Sequence, residues 1–226
     1  GGSSNATTHL LDEIHYLGLL RVARREKGIR LYAPKQHDQA PLNEVERSAR
    51  IDALVDVVVR TYAPLTSSGL NYYIRRLRYA APQWSDELTG ALQRARQRLA
   101  TANLDGVEWY WSSKENPKRQ MTPDHVRLLA PFDPVVHDRS RFEILWGWEY
   151  RFEAYTPEPK RKFGYYALPV LWRDQVIGWA NLAVKDGLLE SRIGYVTMPR
   201  ERIYRRELDA ELERIRNFLG VQSAIK

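Results

Sequence analysis

The run Pro157-Glu158-Pro159-Lys160-Arg161-Lys162-Phe163-Gly164-Tyr165-Tyr166 places three consecutive cations between a proline corner and a string of aromatics. Like charges held this close repel one another, and the cost is recovered when phosphates neutralise them and release counterions. Tyr165 has the chemistry to stack on an unpaired base or to hydrogen-bond a phosphate. The stretch reads as a β-hairpin tip, for which the alternative is a charged edge that only keeps the strands soluble. A second cluster, Arg21, Arg24, Arg25, Lys27 and Arg30, surrounds the turn dipeptide Lys27-Gly28. A third, Arg94, Arg96 and Arg98, falls on a helical stretch. Positions two apart on a helix do not share a face, so these arginines fan around it and cannot all meet one ligand surface.

Acid–base chemistry has one local candidate, the group Asp133, His137, Asp138 and Arg139, since an Asp near a His can move protons. Asp133-Pro134 is equally a turn former and Asp138 stands where a helix cap belongs, so structural roles are expected. The remaining carboxylates form no tight pair suited to glycosidic hydrolysis. His9 and His15 miss the i, i+4 step that lets two histidines share an ion, and the chain has no Gly-rich phosphate loop or Gly-x-Ser-x-Gly elbow. The residues themselves therefore point to no catalytic group, no metal and no cofactor.

With 226 residues, 43% of them hydrophobic, the chain has apolar material for one large domain or two small ones. It contains no cysteine, which excludes disulfides and thiolate metal sites and leaves burial to hold the fold. A formal charge of +7 and a pI near 9.6 favour a polyanionic partner, nucleic acid or an anionic membrane surface, over a neutral metabolite. No apolar run approaches the ~18 residues that cross a bilayer, and the start lacks the layout of a signal peptide. The expectation is a cytoplasmic, nucleoid-associated monomer with no membrane partner.

The elements follow from periodicity. Residues 1–6, GGSSNA, read as an expression tag that fits no element, and the chain then opens directly in a helix, as a piece of something longer would. Leu10, Leu11, Ile14 and Leu17 have helical spacing, with Thr7 or Thr8 as cap and Gly18 at the exit. Two β-like runs follow around Lys27-Gly28. Helix plus basic hairpin is the back half of a winged helix, over residues 7–35; a plain helix-hairpin packing unit fits the pattern equally. Residues 43–62 predict a helix capped by Asn43, with Val45, Ile51, Leu54 and Val58 on one face. A second helix is expected over 70–79 and a third over 85–101, capped by Ser85, before a strand pair turning at Asp105-Gly106. Residues 43–118 thus outline a winged helix whose third helix is either a recognition helix or a solvated surface helix. Beyond a polar linker, residues 124–226 predict a short helix over 140–146 and strands over 149–156, 163–172, 176–184 and 188–196. Those strands suggest a small antiparallel barrel or curled sheet. The closing helix is expected over 199–219, with Pro199 in its first turn, Leu208, Leu212, Ile215 and Leu219 on the sheet, and Arg200, Arg202, Arg205 and Arg206 in water. The fold class is α+β, winged-helix elements followed by a small antiparallel β-barrel with a C-terminal helix.

The string from Leu128 to Gly178 closely resembles the C-terminal region of the YcaQ/AlkZ-like winged-helix proteins, bacterial DNA glycosylases that remove alkylated bases and unhook interstrand crosslinks. Its carriers are Pro131-Phe132-Asp133-Pro134, Asp138-Arg139, Tyr150-Arg151, Tyr155-Thr156-Pro157, Pro159-Lys160-Arg161, Gly164-Tyr165-Tyr166 and Leu168-Pro169. The segment Leu10–Tyr32 is similar to the family's earlier helix-plus-wing. The resemblance implies tandem winged helices, a C-terminal barrel and double-stranded DNA as partner. The family's catalytic Gln-x-Gln or Gln-x-Asp motif lies ahead of the segment matched here. Gln36-His37-Asp38 follows a wing strand, the wrong context, and reads as a chance match. Where relatives carry a basic and an acidic residue, this chain has Trp179, Ala180 and Asn181, so loss of a polar contact is expected.

The expected DNA-binding residues are Lys160, Arg161, Lys162, Tyr165, Arg21, Arg24, Arg25, Lys27, Arg30, Arg94, Arg98 and Arg139. The expected function is the DNA-binding C-terminal portion of a bacterial repair glycosylase. The rivals are a non-catalytic winged-helix regulator that reads a sequence, and a protein-interaction module whose cations serve only solubility.

Overall fold

The computed structural model describes residues 5–35, 42–116 and 122–221, in two compact units, Gly1–Arg47 and Ser48–Lys226. In the first unit, α1 (Ala6–Tyr16) is capped by Asn5, whose side chain accepts from the Thr8 amide at 2.8 Å. This corrects the expected cap at Thr7 or Thr8. Asparagine caps as well as serine or threonine, so the helix starts early enough to take in Ala6, a strong helix former. Gly18 ends it at φ +76°. Strands β1 (Leu20–Glu26) and β2 (Ile29–Pro34) pair antiparallel around Lys27 and Gly28, both at positive φ as a two-residue type I′ turn requires.

Helix α2 (Glu44–Tyr62) opens on a reciprocal cap, Asn43 accepting from the Glu46 amide and Glu46 accepting from the Asn43 amide. Its buried face is Ile51, Val55, Val58 and Val59, while Val45 is 79% exposed because the first turn lies off the core. Then come β3 (Leu65–Thr66), α3 (Ser67–Ala80) capped by Thr66, α4 (Leu88–Arg98), β4 (Ala100–Leu104) and β5 (Val107–Trp111). The expected Ser85 cap is corrected: Pro82–Glu87 form a 3₁₀ turn held by half-buried Trp84 against the core, and α4 starts after it. The three strands form one antiparallel sheet in the order β3-β5-β4. Leu65, Leu70, Ile74, Ala91, Ala95 and Tyr110 close its core with the α2 face, each large apolar side chain worth roughly 1.5–3 kcal/mol of burial.

The rest carries β6 (Val126–Leu128), α5 (Pro134–His137), α6 (Arg139–Trp146), β7 (Leu168–Trp172), β8 (Gln175–Lys185), β9 (Leu188–Tyr195) and α7 (Arg202–Leu219). The expected barrel is corrected to an open four-stranded antiparallel sheet, β6-β7-β8-β9, with no closed barrel among the described residues. Residues 149–167, expected to supply strand, form a loop whose one regular piece is a 3₁₀ turn, Glu158–Lys160. Tyr150 and Phe163 each belong to a period-two run that mimics a strand, Trp148-Tyr150-Phe152 and Phe163-Tyr165, yet both pack into an aromatic cluster with Phe142, Trp148 and Trp179. Pro157 and Pro159 remove the amides a ladder needs.

Helix α7 begins at Arg202, three residues past Pro199. Its main anchor is Tyr204, 2% exposed, packed with Leu208 toward Val126, Val170 and Trp172, and Leu212 is buried as well. Leu219, expected on the sheet, is exposed in the last turn, and Arg200, Arg202, Arg205 and Arg206 are exposed as expected.

Candidate nucleic-acid interface

The loop of residues 149–167 is built around one carboxylate. Glu153, 5% exposed, accepts the backbone amides of Lys162 at 3.0 Å, Phe163 at 2.7 Å and Gly164 at 3.2 Å. Burial pushes this carboxyl's pKa upward, but the three amides together outweigh it and hold the group below its ordinary value. From the β8 side, Asn181 Nδ2 donates to the Phe163 carbonyl at 2.8 Å. Asn181 thus keeps a polar contact where its loss was expected. Gly164 sits at φ +116°, and a Cβ there would run into the Asn181 side chain, so glycine is required on both counts.

This pinning decides where the cations go. Arg161 Nε donates to the Thr156 carbonyl at 2.8 Å, and its guanidinium stands 5.1 Å from the centre of the Tyr165 ring. Lys162 Nζ lies 5.2 Å from the centre of the Phe163 ring. Strand register sets Asn181 opposite Arg192 on β9. Arg161, Lys162, Tyr165 and Arg192 share an open groove of about 640 Å³ floored by Trp179 and Gly194, with Glu158 the carboxylate on its wall. The expected hairpin tip is therefore corrected: the three cations ride on a pinned loop, because a proline-bounded 3₁₀ turn and the Glu153 contacts replace the strand ladder.

The other expected residues are distributed differently. Arg94 makes a bidentate contact to Asp52 of α2, with Nη2 to Oδ1 at 2.9 Å, and Arg98 is paired with Asp56 and donates to the Asp52 carbonyl. Arg96 donates to the Ser67 hydroxyl. Arg139 donates to the Val136 and Pro131 carbonyls at 2.8 Å and stands 4.5 Å from the centre of the Tyr150 ring, so it is built into its own corner. In the first unit Arg24 pairs with Glu26 and Arg30 with Asp12. Arg21, Arg25 and Lys27 are exposed.

The acid–base candidates resolve into caps. Asp133 accepts from the Val135 amide at the start of α5, and Asp138 from the Arg141 amide at the start of α6. A hydrogen bond of 2.9 Å links His137 Nδ1 to the Tyr73 hydroxyl, and burial pushes that phenol up to about 12, so it stays neutral at pH 7. Beside them Arg141, 2% exposed, donates to the carbonyls of Tyr62, Pro64, Pro134 and Val135. Sequence reasoning missed Glu153 and Arg192, and read Asn181 only as the site of a lost contact. A carboxylate seven residues before the cation run was the available signal for Glu153; nothing local marked Arg192. No group of His, Asp and Glu able to hold a metal occurs among the described residues. No helix there is long and apolar enough to cross a membrane. Gln36-His37-Asp38 lies outside the described residues.

Helices with a three-stranded sheet, followed by an open antiparallel sheet covered by a C-terminal helix, define a mixed α/β protein. The same class is seen in the solved structure of Streptomyces sahachiroi DNA glycosylase AlkZ, with a TM-score of 0.51 and 14% identity over 88% of this chain. That match takes in 52% of the AlkZ chain, so this chain spans about half the length of that relative. The family profile described as DNA glycosylase AlkZ-like matches residues 1–218. The chain belongs to the AlkZ-like DNA glycosylase family.

Proposed function

We propose that this chain supplies the DNA-gripping portion of a repair glycosylase that acts on alkylated or crosslinked bases. The order α2-β3-α3-α4-β4-β5 is that of a winged helix, and α1-β1-β2 that of the back half of another. The observation that carries the reading is the groove at the pinned loop. Lys160, Lys162 and Arg192 have no carboxylate within ion-pair distance among the described residues, although Arg94 and Arg98 do. In a family of DNA glycosylases, cations left without counterions beside an exposed Tyr165 suit a phosphate backbone. Arg21, Arg25 and Lys27 extend the same chemistry to the first hairpin. Arg24, Arg30, Arg94, Arg98 and Arg139 act mainly within the fold.

On this reading the chain binds DNA, and no described residue is assigned to cutting it. Base excision needs the damaged nucleotide exposed to a catalytic group. The test is incubation with an N7-alkylated duplex across a salt series. Binding that falls steeply between low and moderate salt, without abasic sites, supports the reading. Nearly salt-independent association overturns the phosphate grip, abasic sites overturn the division of labour, and affinity that tracks sequence instead of lesion supports a regulator.

A further inference from the structure

One feature outside the groove is unaccounted for. Phe132, Tyr155 and Tyr166 are 62%, 94% and 46% exposed. All three meet the half-buried Phe152 ring edge-on, at centroid distances of 5.1 Å, 6.3 Å and 5.2 Å and interplanar angles of 64°, 84° and 88°. Exposed single apolar residues need no explanation, but large aromatic rings gathered on one support mark a binding surface. Each of these contacts covers only part of an outer ring, and the exposures leave ring surface of Phe132, Tyr155 and Tyr166 open to water.

The surroundings select the ligand. Tyr155 adjoins Thr156, whose carbonyl is held by Arg161, and Tyr166 adjoins Tyr165, whose ring lies under the same guanidinium. Arg161 therefore contacts the residues that adjoin Tyr155 and Tyr166 in the chain, and Lys160 precedes it. Of the nearby acids, Asp133 caps α5 and Glu149 pairs with Arg151, which leaves Glu158 as the carboxylate beside the cations. Open ring faces next to cations are what an unpaired strand recognises, phosphates to the cations and bases to the rings. In an intact duplex the base faces are covered by their neighbours, so this surface has little to offer it.

We infer that Phe132, Phe152, Tyr155 and Tyr166 form a stacking platform for unpaired bases, engaged where a lesion or crosslink opens the duplex. The inference deepens the DNA-gripping reading and rests on it for the choice of nucleic acid as ligand.

The experiment measures fluorescence anisotropy of a labelled 12-nucleotide oligo(dT), of a fully paired 12-base-pair duplex, and of a duplex with an unpaired internal bubble, against the full 226-residue chain. Tyr155→Ala and Phe132→Ala are each expected to weaken oligo(dT) and bubble binding about tenfold. Duplex affinity and all salt slopes should hold, because the removed rings carry no charge. Tyr155→Phe should bind as the unaltered chain does. Thermal melting checks the fold, which the 94% exposed Tyr155 leaves intact. Unchanged oligo(dT) affinity in both alanine variants overturns the platform and leaves the phosphate grip standing. Equal loss on duplex and single strand also overturns it. A flat salt dependence of the unaltered chain combined with selective loss in the alanine variants overturns the grip and keeps the platform.

Discussion

Helix α4 and the loop carrying residues 160–162 hold similar numbers of cations and use them in opposite ways. On α4, Arg94 and Arg98 face Asp52 and Asp56 of α2, and their charge is cancelled inside the unit. On the loop, the carboxylate that could have cancelled charge is turned instead to the backbone, where Glu153 collects three amides. Among the described residues, Lys160 and Lys162 have no acid within ion-pair distance. Two stretches equally basic on paper thus differ in what they offer a partner. Available charge is decided by where the carboxylates fold, and the acids opposing α4 lie a whole helix and turn earlier in the chain.

Arg141 gives the strongest check on the structural side of this contrast. Removing it in Arg141→Ala leaves the carbonyls of Tyr62, Pro64, Pro134 and Val135 short of a donor and should lower stability by about 3 kcal/mol in urea unfolding. Loss of DNA affinity beyond the unfolded fraction would blur the division. On the binding side, changing Lys160, Arg161 and Lys162 together to alanine should reduce the salt slope by about 2 to 3 and affinity at 0.15 M salt about a hundredfold. Melting temperature should barely move, and an unchanged slope would break the comparison outright.

Glu153 stands between the two. Glu153→Gln replaces a charged acceptor of three amides and should cost about 1.5–3 kcal/mol. Its folded pKa is depressed, so its contribution is complete above the unfolded value near 4.5 and is lost as pH falls through the lower folded value. Unfolding measured from pH 6 downward should show that loss in the parent and not in Glu153→Gln. The smallest effect belongs to Arg94→Ala, about 1 kcal/mol or less for a part-exposed pair, with DNA affinity untouched. A larger effect on DNA than on stability would return Arg94 to the binding surface.

Much of the frame was legible. The Asn43 cap and the turns at Lys27-Gly28 and Asp105-Gly106 are local signals that appear as read, and the apolar stripe of α2 holds at Ile51 and Val58 while Val55 and Val59 take the places expected of Val45 and Leu54. The region after the polar linker was misjudged where side chains obey period two for a different reason. Tyr150 and Phe163 sit in period-two runs, but they are held by contacts to Phe142 and Trp148 respectively, set by tertiary packing and not by a strand ladder. The site was half legible. Three adjacent cations are visible in any reading, but their separation from acids depends on partners such as Asp52, Glu153 and Arg192, which the chain brings near or keeps away only on folding. Tyr204 was missed as the anchor of α7 because leucine spacing drew attention to Leu219, which the last turn leaves in water.

The hold of Glu153 on the loop has a kinetic side. A segment that meets its ligand already ordered surrenders little conformational entropy on docking. Encounter with an anionic strand is then limited by diffusion and long-range attraction instead of by folding on contact. Association should be fast and strongly slowed by added salt, and releasing the loop from its internal carboxylate should slow arrival more than it hastens departure.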